Sequence, residues 1–144
     1  EHPEVARSHL NIGAVYDSQG RYEEALVQYQ QALEVFLAVH GEEHPFVADS
    51  YNNIGEVYRR KGDLENALLQ HQRALEIRTR VFGSKHPQVA ESYFNMGLVY
   101  RSLEKANLEK AEEAKEMFTK AYSIFLKVLG PDHPHTQQAK SEVD

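Results

Sequence analysis

Residues 44–85, HPFVADSYNNIGEVYRRKGDLENALLQHQRALEIRTRVFGSK, decide how the rest of the chain is read. The residues before and after them are imperfect copies. His-Pro stands at His2-Pro3, His44-Pro45, His86-Pro87 and His133-Pro134, at intervals of 42, 42 and 47 residues. A long, nearly constant period means one supersecondary unit laid against copies of itself, because a single unit cannot bury its own apolar face. Inside the stretch, apolar residues recur three and four apart on both sides of Gly62, the spacing of a helix face. The unit therefore reads as helix A over about residues 46–60, a break at Gly62, Asp63 as N-cap, and helix B over about residues 64–82, closed by Gly83.

The first copy, residues 2–43, opens with Pro3 at a first helical position, where a missing N–H costs nothing. Val5, His9, Ile12 and Tyr16 then share one face, and Gly20 ends the helix. The second helix starts near Tyr22 and carries Ala25, Leu26, Tyr29, Ala32, Leu33, Phe36 and Val39 on a broad stripe up to Gly41. The third copy, residues 86–132, begins in phase with Val89, Tyr93, Met96 and Tyr100 and then departs. Glu104 replaces the turn glycine, and about five residues are inserted near 104–109 before the pattern resumes at Ala114, Phe118 and Ala121. Two readings fit: a turn near Asn107, or one helix running straight through. The turn is preferred because the pattern resumes in order. A continuous helix would part helix B from its partner and favour exchange between chains. Residues 133–144 restart the unit as a short polar helix that partly caps the stack. Residues 1–144 thus read as a single all-α domain, three helix hairpins in a right-handed stack plus a short C-terminal helix.

The composition narrows the function classes. A chain of 144 residues can bury a real core, and 41% hydrophobic with 26% charged residues is ordinary for a soluble globular protein. A net charge of −6 argues against nucleic acid, which needs a basic footprint. The absence of cysteine excludes disulfides and thiolate metal sites and fits the cytoplasm. No apolar run approaches the roughly 20 residues of a membrane span, and no signal-peptide pattern is visible, so no membrane partner is expected. The chain opens already inside the repeat, as expected for a segment of a longer protein.

Within each unit a Gly is followed by two Ala: Gly13, Ala25, Ala32; Gly55, Ala67, Ala74; and, across the insertion, Gly97, Ala114, Ala121. A Tyr stands three residues after each Gly, at Tyr16, Tyr58 and Tyr100. Gly inside a helix costs about 1 kcal/mol against Ala, so its threefold use calls for close helix packing. These residues resemble the tetratricopeptide repeat. The usual period of that family is about 34 residues. The longer unit, with its G-x-x-H-P junction, is similar to the repeats of kinesin light chain and to arrays in large signalling proteins with nucleotide-binding domains. The resemblance implies a helical solenoid that binds proteins.

Candidate chemistry is sparse. The four His-Pro histidines stand at equivalent points of stacked units, about 10 Å apart by helix packing, whereas zinc–nitrogen bonds are about 2 Å. They read as junction and capping residues. His133 and His135 form a lone H-x-H, and His9 and His71 stand in helix-packing phase. No phosphate loop, H-E-x-x-H or grouped triad occurs, and Glu109 to Glu116 alternates with lysines as a solvated face. No catalysis, metal or cofactor is expected.

What remains is the inner face of the first helices, the usual binding surface of a hairpin solenoid. Its candidate residues are Arg7, Leu10, Asn11, Asn52, Asn53, Arg59, Arg60, Phe94, Asn95, Leu98 and Arg101. Asn11, Asn53 and Asn95 each stand two residues before the Gly. Asn is a poor helix former, so its recurrence needs a reason. Its amide can both donate to and accept from the backbone of an extended peptide. Rungs about 10 Å apart match about three extended residues. The arginines offer a basic edge for acidic ligand side chains, as the kinesin light chain resemblance also implies, though they equally suit the helix C-terminal dipole. Leu10, Phe94 and Leu98 offer apolar pockets. The expected partner is a protein or peptide with acidic residues. The alternatives are self-association through open repeat ends or the third hairpin, and a regulatory segment of a larger signalling protein.

Overall fold

The computed structural model describes residues 3–104 and 110–144. They form the helices α1 (Pro3–Ser18), α2 (Tyr22–His40), α3 (Pro45–Lys61), α4 (Leu64–Phe82), α5 (Pro87–Glu104), α6 (Lys110–Leu129) and α7 (Pro134–Val143), with no strand among the described residues. The chain divides into two compact units, Glu1–Ile77 and Arg78–Asp144. None of the described helices is long and apolar enough to cross a membrane.

In the first unit α1 packs on α2, and α2 on α3. Helix starts and stops follow the local chemistry. Pro45 is the first residue of α3, and Nδ1 of His44 accepts the Phe46 N–H at 3.1 Å, capping one of the orphan donors at that end. Gly62 ends α3 in the left-handed region, φ 92°, and the Asp63 N–H closes the turn on the Tyr58 carbonyl at 2.9 Å. Asp63 then caps α4, its carboxylate accepting from the backbone and side-chain N–H groups of Asn66 at 3.4 and 2.7 Å. Two apolar clusters hold the unit together. Val47 and Ala48 pack with Ala6, Ala32, Phe36 and Ala74, and Ile54 and Val57 pack with Ala25, Leu26 and Tyr29.

Two apolar residues expected on the packed face of the first helix are exposed. Val5 and Ile12 face outward, and it is Ala6 and Gly13, one position on, that are buried. The reason is geometric. α2 lies on the Ala6 and Gly13 side of α1, whereas on α3 it covers the side that carries Val47 and Ile54, the counterparts of Val5 and Ile12. Val39, at the end of the α2 stripe, is exposed as well.

In the second unit α5 packs on α6 and α6 on α7. The Phe94 and Phe118 rings stand edge to face with centroids 5.3 Å apart. Along one continuous helix those 24 residues would span about 36 Å, so α5 and α6 are two helices lying side by side. The turn expected near Asn107 falls outside the described residues. His133 caps α7 as His44 caps α3, its Nδ1 accepting the His135 N–H at 3.1 Å. α7 buries Thr136 and Ala139 and leaves Gln137, Gln138 and Lys140 to solvent.

Candidate functional site

The first helix of each hairpin carries the expected residues, and the structure sorts them. In the first unit Arg7 and Asn11 are exposed on α1, while Asn52, Asn53 and Arg59 are half-buried on α3. Among the described residues the Asn11 and Asn53 amides make no side-chain hydrogen bond. Asn52, and Asn95 on α5 of the second unit, are half-buried and already engaged. The apolar candidates are partly spent on packing. Leu10 lies against both clusters of the first unit, and Phe94 lies on Phe118 and against the cluster around Ala90, Ala121 and Phe125. Leu98 is half-buried.

The basic edge is neutralised from within. Arg59 holds the Glu56 carboxylate through Nη2 at 2.9 Å and Nε at 3.4 Å. Arg60 reaches the same carboxylate at 3.7 Å and pairs with Asp17 on α1. In the second unit Nη1 of Arg101 holds Glu142 of α7 at 2.5 Å. The last two pairings join residues 43 and 41 apart in sequence. Arg59, Arg60 and Arg101 are therefore not the open cations that their place on the helix face suggests. Among the described residues Arg7 makes no ion pair.

Glu56 is the centre of this chemistry. Burial pushes its carboxyl pKa up, but hydrogen bonds from His71 and Arg59 outweigh burial and bring it down to about 2. An ionised carboxylate can only accept, so Nε2 of His71, 3.1 Å away, donates to it. Beside Asp17 and Arg60, an open cleft at the α1–α2 turn is lined by Ala14, Ser18 and Tyr22.

Three features escape a reading of one helix at a time. The second helices share a pattern of Ala, aromatic, Ala, aromatic: Ala25, Tyr29, Ala32, Phe36 in α2 and Ala114, Phe118, Ala121, Phe125 in α6. In α4 the pattern is Ala67, His71, Ala74, Arg78, and those two polar residues are 0% and 2% exposed. Arg78 donates to the Ser92 hydroxyl at 3.0 Å and the Gln88 carbonyl at 3.3 Å. Laying the second helices over one another at their alanines would have exposed both substitutions. Glu142 is the third. It stands nine residues after His133, the register of Asn11, Asn53 and Asn95 after their own histidines, so the recurring amide gives way to a carboxylate in the fourth unit. Among the described residues no cluster of three or more His, Asp or Glu is placed to hold a metal ion.

Comparison with known proteins agrees with this fold. Two models described as tetratricopeptide repeat match the chain, one over residues 4–79 and 46–108 and the other over 89–135. The crystal structure of BtubC (BKLC) from P. vanneervenii superposes with a TM-score of 0.84 at 25% identity over 99% of the chain. A Podosopora anserina kinesin light chain-type protein with nearly identical TPR-like repeats gives 0.81 at 24% identity, also over 99% of the chain. The N-terminal domain of stress-induced protein-1 from C. elegans shares the fold at TM-score 0.66 and 17% identity, over 99% of this chain and 97% of that one. A curated relative, the clustered mitochondria protein homolog of Candida albicans, is 53% identical over 36 residues, a quarter of this chain. The chain spans 56% and 65% of the first two structures and 3% of the Candida protein.

Proposed function

The chain belongs to the tetratricopeptide repeat family, and on that premise we propose that it is a non-catalytic interaction module that binds an extended peptide segment of a partner protein. The observation that carries this reading is the recurring asparagine. Asn11 and Asn53 stand at one register of successive first helices with amides that make no hydrogen bond among the described residues. Asn in a helix gives up a few tenths of a kcal/mol against Ala, and an amide free to donate and accept returns that cost by holding a ligand backbone. In the second unit Asn95 stands at the same sequence register, with Leu98 beside it. Arg59, Arg60 and Arg101 set charge selectivity by exchange: an acidic ligand side chain competes with Glu56, Asp17 or Glu142. That makes the preference for acidic peptides weaker than open arginines would give. An adaptor or scaffold role, as for the kinesin light chain-type repeats the chain is similar to, follows from such binding.

The test is selection of peptides from a displayed random library on the immobilised domain, followed by rebinding to Asn11→Ala/Asn53→Ala. Binding at least tenfold weaker supports the reading. Equal binding overturns it.

A further inference from the structure

Two neighbouring clefts, of about 430 and 360 Å³, meet at Ser84 in the loop between α4 and α5. The first is apolar, between Phe82, Pro87 and Val128, with Lys85 in its wall. Phe82 and Val128 are 37% and 48% exposed, so apolar surface stands open there. The second is polar, lined by Tyr93 of α5 and by Thr119, Lys120 and Ser123 of α6. Among the described residues no acid lines either cleft.

The second hairpin, α3 with α4, shows what is unusual here. Shifted by 42 residues, Ser84, Lys85 and Tyr93 correspond to Glu42, Glu43 and Tyr51. Shifted by 47, across the insertion, Lys120 and Ser123 correspond to Arg73 and Glu76. The packing of a cation on a tyrosine is kept: Lys120 lies over the Tyr93 ring at 5.4 Å, as Arg73 lies over Tyr51 at 5.6 Å. The acids are not kept. Glu42 and Glu76 give way to serines and Glu43 to a lysine, so the five positions change from a charge of −2 (three acids against Arg73) to +2 (Lys85 and Lys120). The polar groups are also uncommitted. Among the described residues the hydroxyls of Ser84, Tyr93 and Ser123 make no hydrogen bond and Lys85 makes no ion pair. Lys120 pairs with Glu116 at 3.3 Å, but the two side chains are 46% and 60% exposed, and such a pair is worth little in water. A carboxylate arriving here meets two ammonium groups and three hydroxyl donors.

We propose that this face of the third hairpin docks a short acidic segment of a partner protein. The segment seats a large apolar side chain between Phe82, Pro87 and Val128 and turns an adjoining carboxylate to Lys85, Lys120 and the hydroxyls around Ser84. Charge complementarity on a chain of net charge −6 makes the site selective for acidic partners. The surface is separate from the asparagine register, because Tyr93 stands two residues before Asn95, about 200° round α5.

The probe is the fluorescently labelled peptide Glu-Asp-Leu-Asp-Glu, with acids on both sides of one leucine so that either chain direction is served. Fluorescence anisotropy against the whole chain is expected to show saturable binding. Binding should be at least tenfold weaker in Ser84→Glu/Lys85→Glu/Ser123→Glu, which gives the third hairpin the acids of the second. It should be at least threefold weaker in Val128→Ser, which removes apolar surface without changing charge. The amide counterpart Gln-Asn-Leu-Asn-Gln should bind at least tenfold more weakly, and Val27→Glu, at an exposed valine of α2, should leave binding unchanged. All the substituted positions are exposed, and unchanged circular dichroism checks that each variant folds. Four results overturn the proposal: no saturable binding, equal binding of the amide peptide, a loss confined to Asn11→Ala/Asn53→Ala, or light scattering showing a dimer that the triple variant converts to monomer, which would give the face to a second copy.

Discussion

A Cβ on Gly55 would lie 2.8 Å from Nε2 and 2.9 Å from Cδ2 of His71, so the glycine is what admits a buried imidazole between α3 and α4. The ring cannot withdraw, because it is fully buried and held by Glu56. Gly13 makes the same room for Tyr29 and Gly97 for Phe118. Gly55→Ala gains about 1 kcal/mol of helix propensity and loses more through overlap, typically 1–3 kcal/mol for an overpacked core. A net loss of roughly 1–2 kcal/mol is expected by urea denaturation, and Gly55→Leu should fail to fold. A melting temperature for Gly55→Ala equal to wild type would show that the ring moves aside freely.

The Glu56–His71 pair should behave as a unit. The third repeat has the apolar residues Leu98 and Phe118 at the equivalent positions. His71→Phe alone strands the Glu56 carboxylate with one hydrogen-bonding partner fewer, at a cost of about 1–3 kcal/mol. Glu56→Leu/His71→Phe removes both polar groups, and apolar replacement of a buried pair is often neutral or stabilising. Among the described residues Nδ1 of His71 has no hydrogen-bond partner, which favours that outcome. The double variant should match or exceed wild-type stability, giving a coupling of about 1–3 kcal/mol in a double-mutant cycle. Additive losses would mean the two residues act independently.

These two expectations mark the limit of what could be read from sequence. The His-Pro period and the Gly-Ala-Ala spacing gave the hairpins, and α4 runs over Leu64–Phe82 as its periodicity indicates. Periodicity records which side of a helix is apolar, not whether anything lies on it. Val5 and Val47 look identical in register, yet only the second is covered. Likewise the Arg60–Asp17 and Arg101–Glu142 pairs join helices one repeat apart. Nothing in a local window distinguishes a paired arginine from an open one, so the face looked more basic than it is.

Glu56 makes the fold sensitive to strong acid. Its folded pKa of about 2 lies below the unfolded value of 4.5. A depressed carboxyl pKa gives stability that is complete above the unfolded value and is lost as pH falls through the folded one. The window is therefore about pH 4.5 down to 2, and the contribution at neutral pH is roughly 3 kcal/mol. Wild type and Glu56→Leu/His71→Phe should show parallel stability above pH 5. Below it wild type should fall faster as measured by denaturant midpoint. Parallel curves throughout would refute the assignment.

Asn11 separates a functional from a structural role. It is exposed within α1 and makes no hydrogen bond among the described residues, so its replacement should cost the fold nothing. Asn11→Ala should raise stability by about 0.3–0.7 kcal/mol through helix propensity alone, while weakening capture of selected peptides. A fall in melting temperature would mean that the amide supports the fold instead.

His44 adds a second, milder acid response. Nδ1 of His44, His86 and His133 each accepts a backbone N–H two residues on, which requires that nitrogen to be unprotonated. Burial lowers the His44 pKa below 6.5, and the neighbouring His40, stacked with ring centroids 3.9 Å apart, lowers it further, against a smaller opposing pull from Asp49. The folded value lies below the unfolded one, so the cap's contribution is complete above pH 6.5 and is lost as pH falls through the folded value. Asn is also a strong N-cap but does not titrate in this range. His44→Asn should keep wild-type stability within about 0.5 kcal/mol at pH 8 and exceed it at pH 5, whereas His44→Ala should lose about 0.5–2 kcal/mol at pH 8. Denaturation midpoints of the three proteins at the two pH values decide it: an unchanged difference between wild type and His44→Asn would show that His44 protonation does not break the cap.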